Sequence, residues 1–291
     1  MTPDPNERDG PKAVKRARVP KLLLSFSLLW LGLVVFHAIL ASRLPYVVDN
    51  PAQTANAALA RIGPGRAAWF GGDQNGRDIF SYCVYGARAS LLIGFSVAIL
   101  GMLIGGGLGL ISGYYRGWVD TLITSFIDVM LSFPSIILLI AITSLWGREA
   151  WKIVIGLTAL SVAPLARLVR ANTLVYTQRE FVTAARALGA TNRRILVREV
   201  LPNIVPVALS FALLTVAFII VAEGTLSFLG VGLNTSIASW GTMIVQGRGD
   251  ITLGVYHVVL MPSLVLVLTV FTMNVVGESL RRRFDIREAA V

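Results

Sequence analysis

Few residues in this chain could do chemistry, and most of them stand in apolar company. Asp128 and Arg167 interrupt long apolar runs, Glu223 closes another, and His37 lies inside a fourth. An ionisable group inside a membrane-length segment points to ion pairing, solute handling or proton transfer. For Asp128 the readings are a carboxylate of a solute pathway or gate, and a structural partner of Arg116 or Arg167 across a helix bundle. Glu223 is open to a cap role or an outer gate contact. His37 reads as a packed, hydrogen-bonded ring. Cys83 is the one cysteine, so no disulfide forms within the chain, and His37 and His257 are the only histidines. That leaves no cluster for a metal. No Gly-x-x-x-x-Gly-Lys-Ser/Thr loop and no catalytic constellation is present. The expectation is a chain that is not an enzyme and itself holds no cofactor or metal.

The elements that position these residues are apolar helices. The 291 residues are 55% hydrophobic and 14% charged, with a net charge of +10. Soluble domains carry about 25% charged residues. Six segments approach the ~20 residues needed to cross a hydrocarbon core: Leu22–Ser42, Ser90–Ile111, Leu122–Trp146, Ile153–Val169, Ile204–Ala222 and Val258–Val276. Only Asp128 and Arg167 are charged within them. The fold class is therefore all-α polytopic, with six transmembrane helices, and nucleic acid is excluded as a partner. The first segment runs past the length of a signal-peptide core and reads as an uncleaved anchor. Sorted by alternating sides, 18 Lys and Arg fall with the termini and 8 on the other side. The termini are thus expected in the cytoplasm.

This divides the chain into a cytoplasmic tail (1–21), an anchor helix (22–42), an extracytoplasmic loop or cap (43–89), a transmembrane core (90–277) and a cytoplasmic tail (278–291). Gly101, Gly105, Gly109 and Gly113 form a small-residue stripe for close helix packing, its partner left open. Pro134 and Pro164 fall within spans and are expected to kink them. The run Leu226–Gly232 is too short to cross and reads as interfacial or re-entrant.

The segment Arg179–Asn203 is the most specific. A short amphipathic helix, 180–188, carries Phe181, Ala184, Ala185 and Leu188 on one face, and Gly189 stops it. A second helical stretch starts at 190–192, and Pro202 introduces the next span. Such an elbow suits a groove in a partner protein.

This elbow resembles the EAA loop of binding-protein-dependent ABC importer permeases. Ala184, Ala185, Gly189, Leu201 and Pro202 match at the family spacing, while Thr183 stands for the family's Glu and Glu199 for its Ile. Gly72–Asp78, Glu223–Gly232 followed by Ser239-Trp240-Gly241, and Asn274–Arg281 with Asp285-Ile286-Arg287 are similar to the C-type subunit of the dipeptide/oligopeptide/nickel branch. The resemblance implies a type I importer permease fold with a coupling-helix elbow at 180–202 and a bacterial inner-membrane location. It implies half of a translocation pathway, completed by a homologous permease subunit. Cytoplasmic ABC ATPase subunits would bind ATP and Mg, and an extracytoplasmic solute-binding protein would deliver the substrate. Phe181, Thr183, Ala184, Ala185, Leu188, Gly189, Leu201 and Pro202 would form the ATPase-coupling contact. Di- or oligopeptides are the substrate it favours, with nickel or another small solute as the alternative. A secondary transporter would need more polar groups at mid-membrane than Asp128 and Arg167 provide.

Overall fold

After Pro20 and Lys21 the mostly apolar run from Leu22 to Leu40 winds at once into α1, Lys21–Leu40. A computed structural model of the protein describes residues 19–288, with only the backbone at Trp146 and at 285–288. The tail expected over 1–21 thus lies, as far as Arg18, outside the described residues, as do 289–291. Short 3₁₀ turns at Ala41–Arg43 and Ala57–Leu59 occupy the following loop. The next helix, α2, Ile79–Gly101, continues through a π-helical turn, Met102–Gly106, into α3, Gly107–Tyr115.

Then come α4, Gly117–Ser132; α5, Ser135–Trp146; α6, Ala150–Tyr176; α7, Glu180–Ala187; and α8, Asn192–Arg194. A second π-turn, Ile195–Val200, joins α8 to α9, Leu201–Phe228. The short α10, Trp240–Gln246, and α11, Arg248–Ile251, precede α12, His257–Glu288. No strand occurs among the described residues.

Among the described residues, five continuous helical stretches are long and apolar enough to span, and the bent pair α4–α5 makes a sixth crossing if counted as one. Several boundaries differ from the sequence reading, and α6 extends past both ends of Ile153–Val169. The second crossing starts at Ile79 rather than Ser90, because the Asp78 side chain accepts from the Ser81 amide at 2.9 Å and caps the helix there. The third segment is not one kinked helix: α4 and α5 meet at 84°. Phe133 is extended, as a residue before proline prefers to be, so the helix breaks outright at Phe133-Pro134. Helix α9 runs on to Phe228, which puts Glu223 inside it rather than at its end and makes the first part of Leu226–Gly232 helical. Helix α12 continues to Glu288, so the tail expected from 278 is helical over its described part. Pro164 lies within a continuous α6.

Helix α6, packed by α2–α5 and α9, is the most enclosed of the long helices; α12 packs on α9 and α1 on α12, and α1, the least enclosed, exposes Leu22, Phe26, Leu29 and Ile39. One core cluster surrounds the fully buried Trp240 and joins α2, α9 and α12 through Tyr82, Val216, Ile220 and Met273. A second, around Val97, Leu157 and Ile219, joins α2, α6 and α9. The two ends of the bundle differ. Loop 41–78 meets α10–α11 at one end, where Arg61 Nε lies 2.9 Å from the buried Asp250 and Arg77 donates to Gln246 at 3.1 Å. The segment α7–α8 closes the other end, called the elbow end below.

Candidate functional site: the α7–α8 elbow and the charges beneath it

Helix α7 ends in a Schellman motif: the Ala190 amide donates to Ala185 O and the Gly189 amide to Arg186 O, both at 3.0 Å. Gly189 takes φ +78°, the left-handed conformation that glycine adopts without a Cβ penalty. Thr191 then caps α8, accepting from the Arg194 amide. The π-turn ends just before Pro202, whose ring cannot follow a regular α-helical turn and has no N–H to donate.

Within this elbow the side chains divide sharply. Val182 is fully buried, with Ile195, Val200, Ile204, Tyr114 and Val169 around it. Phe181, Thr183, Ala184, Leu188 and Gly189 are exposed, Leu188 at 88%, and Ala185 is half-buried. Leu201 is half-buried and Pro202 exposed at the start of α9. Of the face read from the sequence, Phe181, Ala184 and Leu188 thus look outward together. Val182, which that reading passed over, anchors the elbow to α3 and α6. The Tyr114 hydroxyl adds a hydrogen bond to Asn192 Oδ1 at 2.9 Å, and the Arg186 guanidinium lies 6.0 Å from the Tyr114 ring centroid. A groove of about 760 Å³, lined by Phe181, Arg179, Pro202, Pro206 and Phe284 among others, opens beside the elbow.

The glycine stripe faces α6 of the same chain. A Cβ at Gly105 would strike the backbone of Val162, one at Gly109 the backbone of Ala166 and Arg170, and one at Gly113 Thr173 and Arg170 O. At Gly101 it would meet Ser161. Residues four apart drift by about 40° around an α-helix; the π-turn at Met102–Gly106 offsets part of that drift and keeps the stripe on α6.

Two ion pairs tie α4 to α6. Asp128 lies 2.5 Å from Arg167 Nη2, one of the two pairings open to it in sequence, while Arg116 donates to Thr177 instead. Asp120 and Arg170, which the sequence analysis did not single out, form a two-pronged pair at 2.6 and 2.7 Å, and Ser112 and Thr124 donate to the same carboxylate. The signal was available: an acid in the first turn of one apolar run and a base near the end of the next meet when the runs pack antiparallel.

Glu223 is buried between α9 and α10. Its Oε1 accepts from Ser227 and Ser239 at 2.9 and 3.0 Å, and Gly241 packs against Gly224 beside it. The acids of Gly72–Asp78 are structural as well, since Asp73 Oδ1 accepts from the amides of Asn75 and Arg77, both at 2.8 Å. His37 Nδ1–H donates to Leu33 O at 2.9 Å, and its Nε2 lies 3.2 Å from the Tyr46 hydroxyl.

A lipid-facing helical bundle with a short helix presented at one end is the architecture of a transporter's membrane subunit. The profile of the family described as Binding-protein-dependent transport system inner membrane component matches residues 105–289, and the chain belongs to that family. It is a permease subunit of an ABC importer, not an enzyme. It is 40% identical over 223 residues to the glutathione transport system permease protein GsiD of Pectobacterium atrosepticum, covering 77% of this chain and 74% of that one. It is 35% identical over 260 residues, 89% and 86% of the two chains, to a Brucella suis protein provisionally named a peptide transport system permease. The fold is similar to the MetNI methionine ABC transporter, with TM-score 0.59 at 20% identity over 71% of this chain and 97% of that one.

Proposed function

We propose that this permease forms half of a pathway importing short peptides across a bacterial cytoplasmic membrane, with both termini and the elbow in the cytoplasm. A homologous permease subunit completes the pathway, and an extracytoplasmic solute-binding protein delivers the peptide. The elbow docks on ABC ATPase subunits, which hold ATP and Mg; this chain holds neither. The observation that carries the coupling role is the outward face of α7, where Phe181, Thr183, Ala184 and Leu188 are exposed above a fully buried Val182. An exposed apolar face over a rigid base suits a partner's cleft. Because that base includes Tyr114 and Val169, movement of the elbow is transmitted to α3 and α6. The peptide substrate is supported by the glutathione and peptide names of the relatives, and the orientation by the 18-to-8 division of basic residues.

The test is Leu188→Asp in the transporter reconstituted with its ATPase, permease and binding-protein partners. The side chain is 88% exposed, so insertion is expected to be unchanged, while ATP-driven peptide uptake falls by about tenfold or more, as when a central interface contact is lost. Undiminished uptake with normal stimulation of ATP hydrolysis would overturn the coupling assignment. Calorimetry of the cognate binding protein against peptides of increasing length tests the substrate, and binding of a nickel complex in place of peptides would overturn it.

A further inference from the structure

Helix α4 exposes two chemically different strips. Thr121, Ser125, Asp128 and Ser132 recur at helical spacing, share one face and are all exposed. Beside them run Leu122, Phe126, Val129 and Phe133, each more than half exposed, while Ile127 on the opposite side is fully buried. The polar strip is centred on the Asp128–Arg167 pair, whose side chains remain 54% and 56% exposed despite their 2.5 Å contact. The neighbouring Asp120–Arg170 pair is far more enclosed, at 19% and 30%. Asp128 lies about 9 Å, and Arg167 about 3 Å, inside the elbow-side ends of the apolar segments Leu122–Trp146 and Ile153–Val169 at 1.5 Å per residue. That places the pair in the elbow-side half of a ~30 Å hydrocarbon core. Charges at such depth face the protein interior or water, because lipid cannot solvate them. Among the described residues nothing covers these two.

Resting on the peptide-import reading above, we propose that the polar strip of α4 lines the water-filled solute pathway and that the Asp128–Arg167 pair is a site for zwitterionic peptides in the elbow-side half of that pathway. The peptide ammonium takes Asp128 and its carboxylate takes Arg167. The exchange keeps charge balanced, since one internal ion pair opens as two form with the solute. The hydroxyls of Ser125 and Ser132 flank the site with groups that can solvate a peptide backbone. The adjoining apolar strip suits lipid or a second permease helix, which leaves the polar one for solute.

Two measurements on the assembled transporter test this. Cys83 is buried, so single cysteines can be read against a quiet background. Ser125→Cys and Ser132→Cys are expected to react with a charged, membrane-impermeant methanethiosulfonate reagent, and Leu122→Cys and Val129→Cys to resist it. Unreactive Ser125→Cys and Ser132→Cys, or equal labelling of both strips, would overturn the pathway assignment. The second measurement uses Asp128→Asn/Arg167→Gln, which removes both charges and leaves neither unpaired. It is expected to assemble and keep binding-protein-stimulated ATP hydrolysis while peptide uptake falls about tenfold, the effect of losing charge-assisted hydrogen bonds. Unchanged uptake, or failure to assemble, would mark the pair as structural and overturn the site. If the unmodified transporter takes up no peptide at all, the peptide reading itself fails and the terminus assignment with it, while the labelling contrast still decides the pathway.

Discussion

At the scale of single residues, the charges of this permease divide into those that hold helices together and those that face outward. Asp120 collects two bonds from Arg170 and one each from Ser112 and Thr124, so its removal strands a guanidinium between helices. Asp120→Ala is expected to cost about 1–3 kcal/mol of stability, the range for hydrogen bonds to charged groups. Thermal unfolding in detergent would show this, and Asp120→Ala/Arg170→Ala should cost less than the sum of the two single variants. Glu223→Ala leaves the Ser227 and Ser239 hydroxyls without their shared acceptor and is expected to lose about 1–3 kcal/mol. Glu223→Gln, which keeps an acceptor oxygen, should lose less in the same assay. Sequence flagged Glu223 and Asp128 by their apolar surroundings alone. Ser227 stands four residues on in the same helix and was within reach of spacing, but Ser239 was not, because it reaches Glu223 from the cap of α10 across a loop.

Among the elements, the contact between α2–α3 and α6 rests on the glycine stripe. Gly105→Ala pushes a methyl into the Val162 backbone, which cannot yield as a flexible side chain would. The expected cost is about 1–3 kcal/mol, as for overpacking elsewhere. Gly107 has nothing within 4 Å of its Cβ position; Gly107→Ala is therefore expected to be neutral or to stabilise by up to about 1 kcal/mol, through helix propensity. Comparing their unfolding temperatures in one detergent checks both, and equal destabilisation would show that helix packing is not the cause. The stripe was legible because spacing by four is preserved in sequence. The break between α4 and α5 was half legible: Pro134 announced a disturbance, but an 84° bend depends on what the two halves pack against. The early start of α2 was hidden because Asp78 and Ser81 are polar, and a hydropathy window discounts a capped polar turn.

For the molecule as a whole, the apolar helices suit a bilayer, and the uneven basic residues support the orientation proposed above. A green fluorescent protein fused after Val291 is expected to fluoresce, and alkaline phosphatase at the same point to be inactive. The opposite result would invert the topology. Sequence by itself determined the class of protein, since apolar length, charge asymmetry and the Ala184-Ala185…Gly189 spacing are properties of a linear chain. It also determined where the elbow starts and stops, because Gly189 and Thr191 act through bonds to residues a few positions away. Only the tertiary structure decided which face of the elbow is free, which helix receives the glycine stripe, and which acid meets which base. Those outcomes join residues far apart in the chain, as Arg170 to Asp120 or Tyr114 to Asn192, and depend on how helices pack and rotate against one another. A pattern of spacing fixes a helix's faces, but only its neighbours choose which of them is covered.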